Sequence, residues 1–302
     1  MKERKVIAIG ETSYNVIFKD GASQKGFPGG RILNASASLA KAGIPSTFVS
    51  ECGNDFVGDL AVDFLQKAGV NTNSIDRFSD GTTCTVFEYG DRNVHYGRYP
   101  MNRFNVVWPR IDEDDIVIFG ALYAAEEAQR QRLFEIIRYA QERKAIILYM
   151  PGFYYSLNFG ITKIMTAILE NLEVTNIVLA DSRDIKNIFG DFTGDKVYKE
   201  KIKFYCPNFV YLDEAKAATV YSANGEAKCD GEGSADRNSL AWCSGFVAGL
   251  VYGIFDKEIT YEALNCTSVE KWNEIVEIAY SFGEASCTDG NIIPEDFVKS
   301  LK

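Results

Sequence analysis

Histidine is nearly absent from this chain: His95 is the only one among 302 residues. The seven cysteines, at 52, 84, 206, 229, 243, 266 and 287, never form a C-x-x-C pair. A transition-metal site of nitrogen and sulfur ligands is therefore excluded, while a weak Mg²⁺ site made of carboxylates is not. The cysteines are odd in number and widely spread, so they read as reduced packing residues rather than a disulfide framework. No apolar run approaches the roughly 18 residues of a membrane helix. The short run 6–9, behind the charged start Met1-Lys2-Glu3-Arg4-Lys5, reads as a first strand rather than a signal-peptide core, and the expected location is cytoplasmic. Positive charge is also short, since 32 Lys and Arg face 42 Asp and Glu for a net charge of −10. That balance gives no phosphate-neutralising face, so neither nucleic acid nor a membrane is an expected partner. Pro-rich linkers, repeats and low-complexity tracts are missing as well, and residues 1–302 read as a single α/β domain.

The residues that are present alternate in period. Runs rich in Val, Ile and Phe at 6–9, 46–50, 115–119, 145–149 and 176–179 predict strands. Helix-period segments at 32–42, 56–68 and 125–141 separate most of them, the first two ended by Gly43 and Gly69. Alternation of this kind gives βαβ units and a mostly parallel central sheet flanked by helices. The stretch 12–18 and the pair 84–89 and 94–98, flanking the turn Gly90-Asp91-Arg92-Asn93, break the rhythm and predict a small β-lid formed by about 12–27 and 82–100.

The densest local signal is Pro28-Gly29-Gly30-Arg31-Ile32-Leu33-Asn34, followed later by Gly53-Asn54-Asp55-Phe56-Val57-Gly58. Gly29 and Gly30 leave bare backbone just before a helix N-terminus, and Asn34, one turn in, carries both a donor and an acceptor for a polyol. Taken alone, the same glycines could simply make a tight turn ahead of a helix of small residues. From Gly10-Glu11 to Gly58, however, the order of residues and elements resembles the ribokinase-like (PfkB) carbohydrate kinases. Their first signature runs from a G-G-x-x-x-N helix to a G-x-D-x-x-G turn. Gly245-Phe246-Val247-Ala248-Gly249 is similar to the helix that follows their second signature, so the resemblance covers nearly the whole chain. It implies the ribokinase-like fold, a β-lid over a sugar site, and a homodimer formed through that lid.

The resemblance also implies a catalytic machinery that the residues do not supply. Such a kinase places an Asp at the start of the late helix as the base that takes the sugar hydroxyl proton, behind a G-A-G turn whose amides hold the transferred phosphoryl group. Counted back from Phe246, those positions hold Ser244 and Ala241-Trp242-Cys243. A serine is a poor base at neutral pH, and loss of the base alone costs about 10²- to 10⁴-fold in rate. The Trp242 indole would either fill the anion cradle or pack in the core behind a helix start capped by Ser239 or Ser244; the second reading is the one expected. Asp236, Asp230 and Glu232, just upstream, are the acids from which a displaced base could come.

Other family positions depart too. The early sugar-binding Asp is Asn15, which can still bond a polyol. The D-P-N-x-R segment is Met150-Pro151-Gly152-Phe153-Tyr154, with a tyrosine in place of the phosphate-neutralising arginine. The nucleotide-side T-x-G-x-x-G turn aligns with Leu212-Asp213-Glu214-Ala215-Lys216-Ala217, which lacks both glycines and adds acids where ATP would sit. The N-x-x-E element tied to Mg²⁺ is Asp181-Ser182-Arg183-Asp184, in which Asp184 could weakly hold a metal-bound water. The expectation is a PfkB-like pseudokinase that binds a small carbohydrate or polar metabolite through Asn15, Gly29, Gly30 and Asn34 without efficient phosphotransfer. The alternative is an active ATP-dependent carbohydrate kinase with a displaced catalytic Asp. ATP and Mg²⁺ are cofactors only under that alternative.

Overall fold

A computed structural model describes residues 4–90, 92–152, 161–190, 193–288 and 291–301. In chain order the strands and helices are β1 Val6–Ile9, β2 Ser13–Lys19, β3 Ala22–Gly29, α1 Arg31–Lys41, β4 Ser46–Gly53, α2 Phe56–Lys67, β5 Asn71–Phe78, β6 Thr82–Tyr89 and β7 Arg92–Arg98. There follow β8 Ile116–Gly120, α3 Glu127–Glu142, β9 Ile146–Met150, α4 Met165–Glu173, β10 Ile177–Asp181, α5 Ser182–Phe189, α6 Gly194–Glu200 and β11 Asn208–Leu212. The last elements are β12 Ala218–Ser222, β13 Gly225–Cys229, α7 Leu240–Asp256, α8 Val269–Ser286 and α9 Glu295–Ser300.

The main sheet has nine strands in the order β13-β12-β11-β10-β9-β8-β1-β4-β5, parallel from β11 to β5 and antiparallel at β12 and β13. Its central strands are buried on both faces, which is why they read as unbroken apolar runs. The alternation of side chains sorts them: Val6 and Ala8 of β1 join one core with α1, α7 and α8, while Ile7 and Ile9 join a second core with α3 and α4. Helices α7 and α8 pack backbone to backbone. A Cβ added at Gly249 would lie 2.6 Å from Ala279 Cα, so this position requires glycine.

Strands β3, β2, β6 and β7 form a separate four-stranded sheet, in that order. Asp55, the N-cap of α2, fastens it to the main body: its carboxylate accepts from the Gly58 and Thr83 amides and the Thr83 hydroxyl, each at 2.8 Å. A Cβ at Gly58 would sit 2.3 Å from the Gly53 carbonyl. The G-x-D-x-x-G pattern is thus the sequence trace of a tight clasp between β4, α2 and β6. At the other limb, Glu51 at the end of β4 accepts from Arg103 Nε at 2.6 Å and from the Phe104 amide at 2.9 Å. Of the turn predicted between β6 and β7, Asp91 lies outside the described residues.

Candidate functional site

Strand β3 of the small sheet ends at Gly29 and leads through Gly30 directly into α1, which packs on β1 and β4 of the main sheet. The helix starts after Gly30 (φ 115°) with no side-chain cap and no acid in its first turn. Asn34, in the first turn, is completely buried, and neither its amide nitrogen nor its amide oxygen has a protein partner. The side of Gly30 that a Cβ would occupy meets the Glu11 carbonyl, and that of Gly29 meets the Asn15 carboxamide and the Ser13 hydroxyl. Asn15 is buried; its Oδ1 accepts from Ser13 Oγ at 3.0 Å and its Nδ2 donates to Glu88 Oε1 at 2.6 Å. Glu11 keeps an exposed surface, although protein atoms crowd its carboxyl. Desolvation raises its carboxyl above the ordinary range, Arg31 opposes this and Glu126 adds to it. The Cys84 thiol, on the small sheet, is pushed up to about 11 by burial, with Glu11 and Glu126 contributing. Glu11, Glu88 and the Glu51–Arg103 pair escaped sequence reasoning because their partners lie on other elements.

Across from the start of α1, α7 begins one turn too early to leave an anion hole at 241–244. Ser239 is its N-cap, with the hydroxyl accepting from the Trp242 amide at 3.1 Å, and the Cys243 amide donates to the Ser239 carbonyl at 3.1 Å. Ala241, Trp242, Cys243 and Ser244 are all buried. Ser244 has 0% of its surface exposed, and its hydroxyl donates to the Leu240 carbonyl at 2.7 Å, the back-bond typical of serine inside a helix. Trp242 does not fill the cradle. Its ring stacks on Phe246 at 5.0 Å and its Nε1 donates to Glu284 of α8 at 3.1 Å, which places it in the α7–α8 core. The cap is Ser239 and not Ser244. Glu284 also accepts from the Ser234 and Ala235 amides, holding the segment ahead of α7 against α8. Asp230 and Asp236 are exposed, as is Glu232; Asp236 Oδ1 accepts from the Asn238 amide in the turn leading into the helix.

The turn 213–217 between β11 and β12 carries Lys216 in the left-handed conformation (φ 62°). That is the backbone a glycine would normally supply, and it falls one residue before Ala217, where the motif comparison put the second glycine. The Lys216 ammonium is buried in an ion pair with Asp181, and the Tyr280 hydroxyl donates to the Lys216 carbonyl at 2.6 Å. Burial raises the Asp181 carboxyl, but Lys216 and the amide bonds of a helix cap outweigh it, and the net position is below the ordinary range. Asp181 and Asp184 form a reciprocal capping box at the start of α5. The space enclosed by Arg31, Asp181, Asp184, Cys243, Phe246 and Val247 is about 10 Å³, room for a single water molecule. A larger open hollow of about 360 Å³, beside Lys41, Phe64 and Pro294, shares no residue with this cleft. Of the segment 150–154, Phe153 and Tyr154 lie outside the described residues.

The profile of the pfkB family carbohydrate kinases matches residues 3–230, about three quarters of the chain. The chain belongs to that family. A protein of Pyrococcus horikoshii named as a sugar kinase is 25% identical over 198 residues, 60% of this chain and 62% of its own length. A protein of Arabidopsis thaliana named as a fructokinase is 23% identical over 134 residues, 41% of each chain. The chain therefore spans less than two thirds of the length of these relatives. Among solved structures, the aminoimidazole riboside kinase of Salmonella enterica, complexed with aminoimidazole riboside and an ATP analog, superposes with a TM-score of 0.80 at 17% identity and 99% coverage of both chains. Fructokinase of Vibrio cholerae, with bound fructose, ADP and calcium, superposes at 0.83 with 16% identity, again over 99% of both. At these identities the superpositions establish the ribokinase-like fold.

Within the pfkB family frame, the residues here do not fit the groups that phosphotransfer needs. For Mg²⁺, Asp184 is committed to the capping box and Asp181 to Lys216, and among the described residues no three His, Cys, Asp or Glu side chains gather as a metal site. For ATP, the Trp242 and Cys243 amides are bonded within α7 and its cap, and the Lys216 ammonium beside the 213–217 turn is paired with Asp181. No reaction step is derived through either group.

Proposed function

We propose that this pfkB-family chain keeps the ligand-binding half of the family's site and has lost the phosphotransfer half. It is a pseudokinase that binds a small carbohydrate or related polar metabolite and acts as a sensor or partner subunit. The observation that carries this reading is the start of α7. The base position is a fully buried serine bonded to its own helix, and the amides that would receive a phosphoryl group are consumed by the Ser239 cap and by the helix. The ligand half is supported by the opposite wall, where Asn34 has two buried polar atoms that the protein itself leaves unpaired. The small sheet serves as the lid over that ligand.

A homodimer through the lid belongs to the same proposal. Strand register places Tyr14, Val16, Phe18, Phe87, Val94 and Tyr96 on one face, and Val94 and Tyr96 remain 60% and 70% exposed. A second copy of the chain would cover them.

The proposal is tested by incubating purified protein with Mg²⁺-ATP and a panel of neutral sugars. No sugar phosphate should accumulate above the protein-free rate. Turnover abolished by Asp236→Asn or Asp230→Asn would instead establish a working kinase with a displaced base.

A further inference from the structure

Asn15 stands where the family pattern has an acid, yet its carboxamide is already committed. Its oxygen accepts from Ser13, and one of its two N–H groups donates to Glu88 Oε1 at 2.6 Å. Among the described residues, the hydrogen bond to Glu88 reaches only Oε1, and the side chain is half-buried. Register puts Glu88 on the same sheet face as Cys84, Val86, Asn15 and Ser13. That face adjoins Gly29, whose open side is filled by Asn15, and Gly29 leads directly into α1 and the unpaired Asn34 amide. An aspartate at 15 would set two carboxylates within hydrogen-bond distance, a like-charge pair relieved only when one of them is protonated. Asparagine at 15 and glutamate at 88 thus form a matched pair in which the negative charge stands on β6 instead of β2.

We propose that Glu88 is the ligand-reading carboxylate of this cleft, that Asn15 is its positioning residue, and that the ligand is an uncharged or amine-bearing polyol rather than a sugar phosphate or sugar acid. The inference rests on the reading of the cleft as a ligand site. A carboxylate only accepts hydrogen bonds, so it recognises a donor-rich ligand and repels an anionic one.

The test uses the full chain and calorimetric titration with ribose, fructose, glucosamine, gluconate and fructose 6-phosphate. At least one of the first three should bind, and the two anions should not. Against the tightest probe, Glu88→Gln should weaken binding about 10- to 100-fold, the range of a charged hydrogen bond lost. Asn15→Asp should weaken it more at pH 8 than at pH 5, because the paired carboxyls share a proton only at the lower pH. The double variant Asn15→Asp/Glu88→Gln, which returns the charge to β2, should recover affinity to within a few-fold of wild type. A structural role for Glu88 alone would produce neither the pH profile nor the rescue. Unchanged affinity in Glu88→Gln overturns the assignment of Glu88 while leaving the cleft intact, and tight binding of either anion overturns the ligand class. No binding by any probe overturns the reading of the cleft itself.

Discussion

Lys216 carries more of the account than its place in a surface-turn sequence would lead one to expect. Held in the left-handed conformation, it sends its ammonium inward to Asp181, with both side chains nearly inaccessible to water. Breaking a buried pair by removing one partner strands the other charge, so Lys216→Met should lower unfolding free energy by about 3–5 kcal/mol. Adding Asp181→Asn, which keeps a helix-capping oxygen but removes the stranded charge, should recover most of that loss in urea titrations. Equal stability of the single and double variants would mean the pair is not coupled. Ser244 gives the complementary case. Restoring the family's acid with Ser244→Asp would bury an unpaired carboxylate at a site with no exposed surface. The expected result is destabilisation by about 3 kcal/mol or more without gain of phosphotransfer, read by thermal melting and by the sugar-panel assay.

Among the elements, the Asp55 clasp links a sequence signature to mechanics. Burial alone would raise the Asp55 carboxyl, but the Thr83 and Gly58 amides, the Thr83 hydroxyl and Arg77 hold it below the ordinary range. A depressed carboxyl stabilises the fold fully above the unfolded-state value of about 4 and loses that contribution as pH falls through the lower folded value. Asp55→Ala should therefore cost about 1–3 kcal/mol at pH 7, with the gap from wild type narrowing below pH 4 in denaturant titrations. A gap independent of pH would show that the carboxylate's charge plays no part.

The clasp also shows what the sequence made legible. Gly53, Asp55 and Gly58 were visible as a pattern, and so were β1, β4, α1 and α2, because burial on both faces or on one stripe leaves an unmistakable period. Strand β3 falls mostly within the expected lid range of about 12–27 but carries no strand signal of its own: it lies at an edge of the small sheet, exposed over most of its length and interrupted by Gly26 and Pro28. The antiparallel end β11–β13 was equally obscure, since its strands are short and their pairing is set by turns. At the site, the serine at the family's base position, 244, was legible by position. The helix cap at Ser239 was one of two candidates, and the Glu88, Arg103 and Lys216 contacts were hidden because each joins residues at least 35 positions apart.

Taken as a whole, the molecule sets the start of α1 opposite the start of α7 across a small space. The small sheet carries an apolar face on which Val94 and Tyr96 are exposed, and that face predicts self-association. Sedimentation should give a dimer for the wild type and a monomer for Tyr96→Glu, while a monomeric wild type would remove the lid interface from the account. Between those helix starts, Arg31, Asp181, Asp184, Cys243 and Phe246 leave about 10 Å³. The proposed loss of the phosphotransfer half is tested most directly by calorimetric titration of the full chain with Mg²⁺-ATP and Mg²⁺-ADP. The account predicts no heat of binding at millimolar nucleotide; saturable binding at micromolar nucleotide would contradict it.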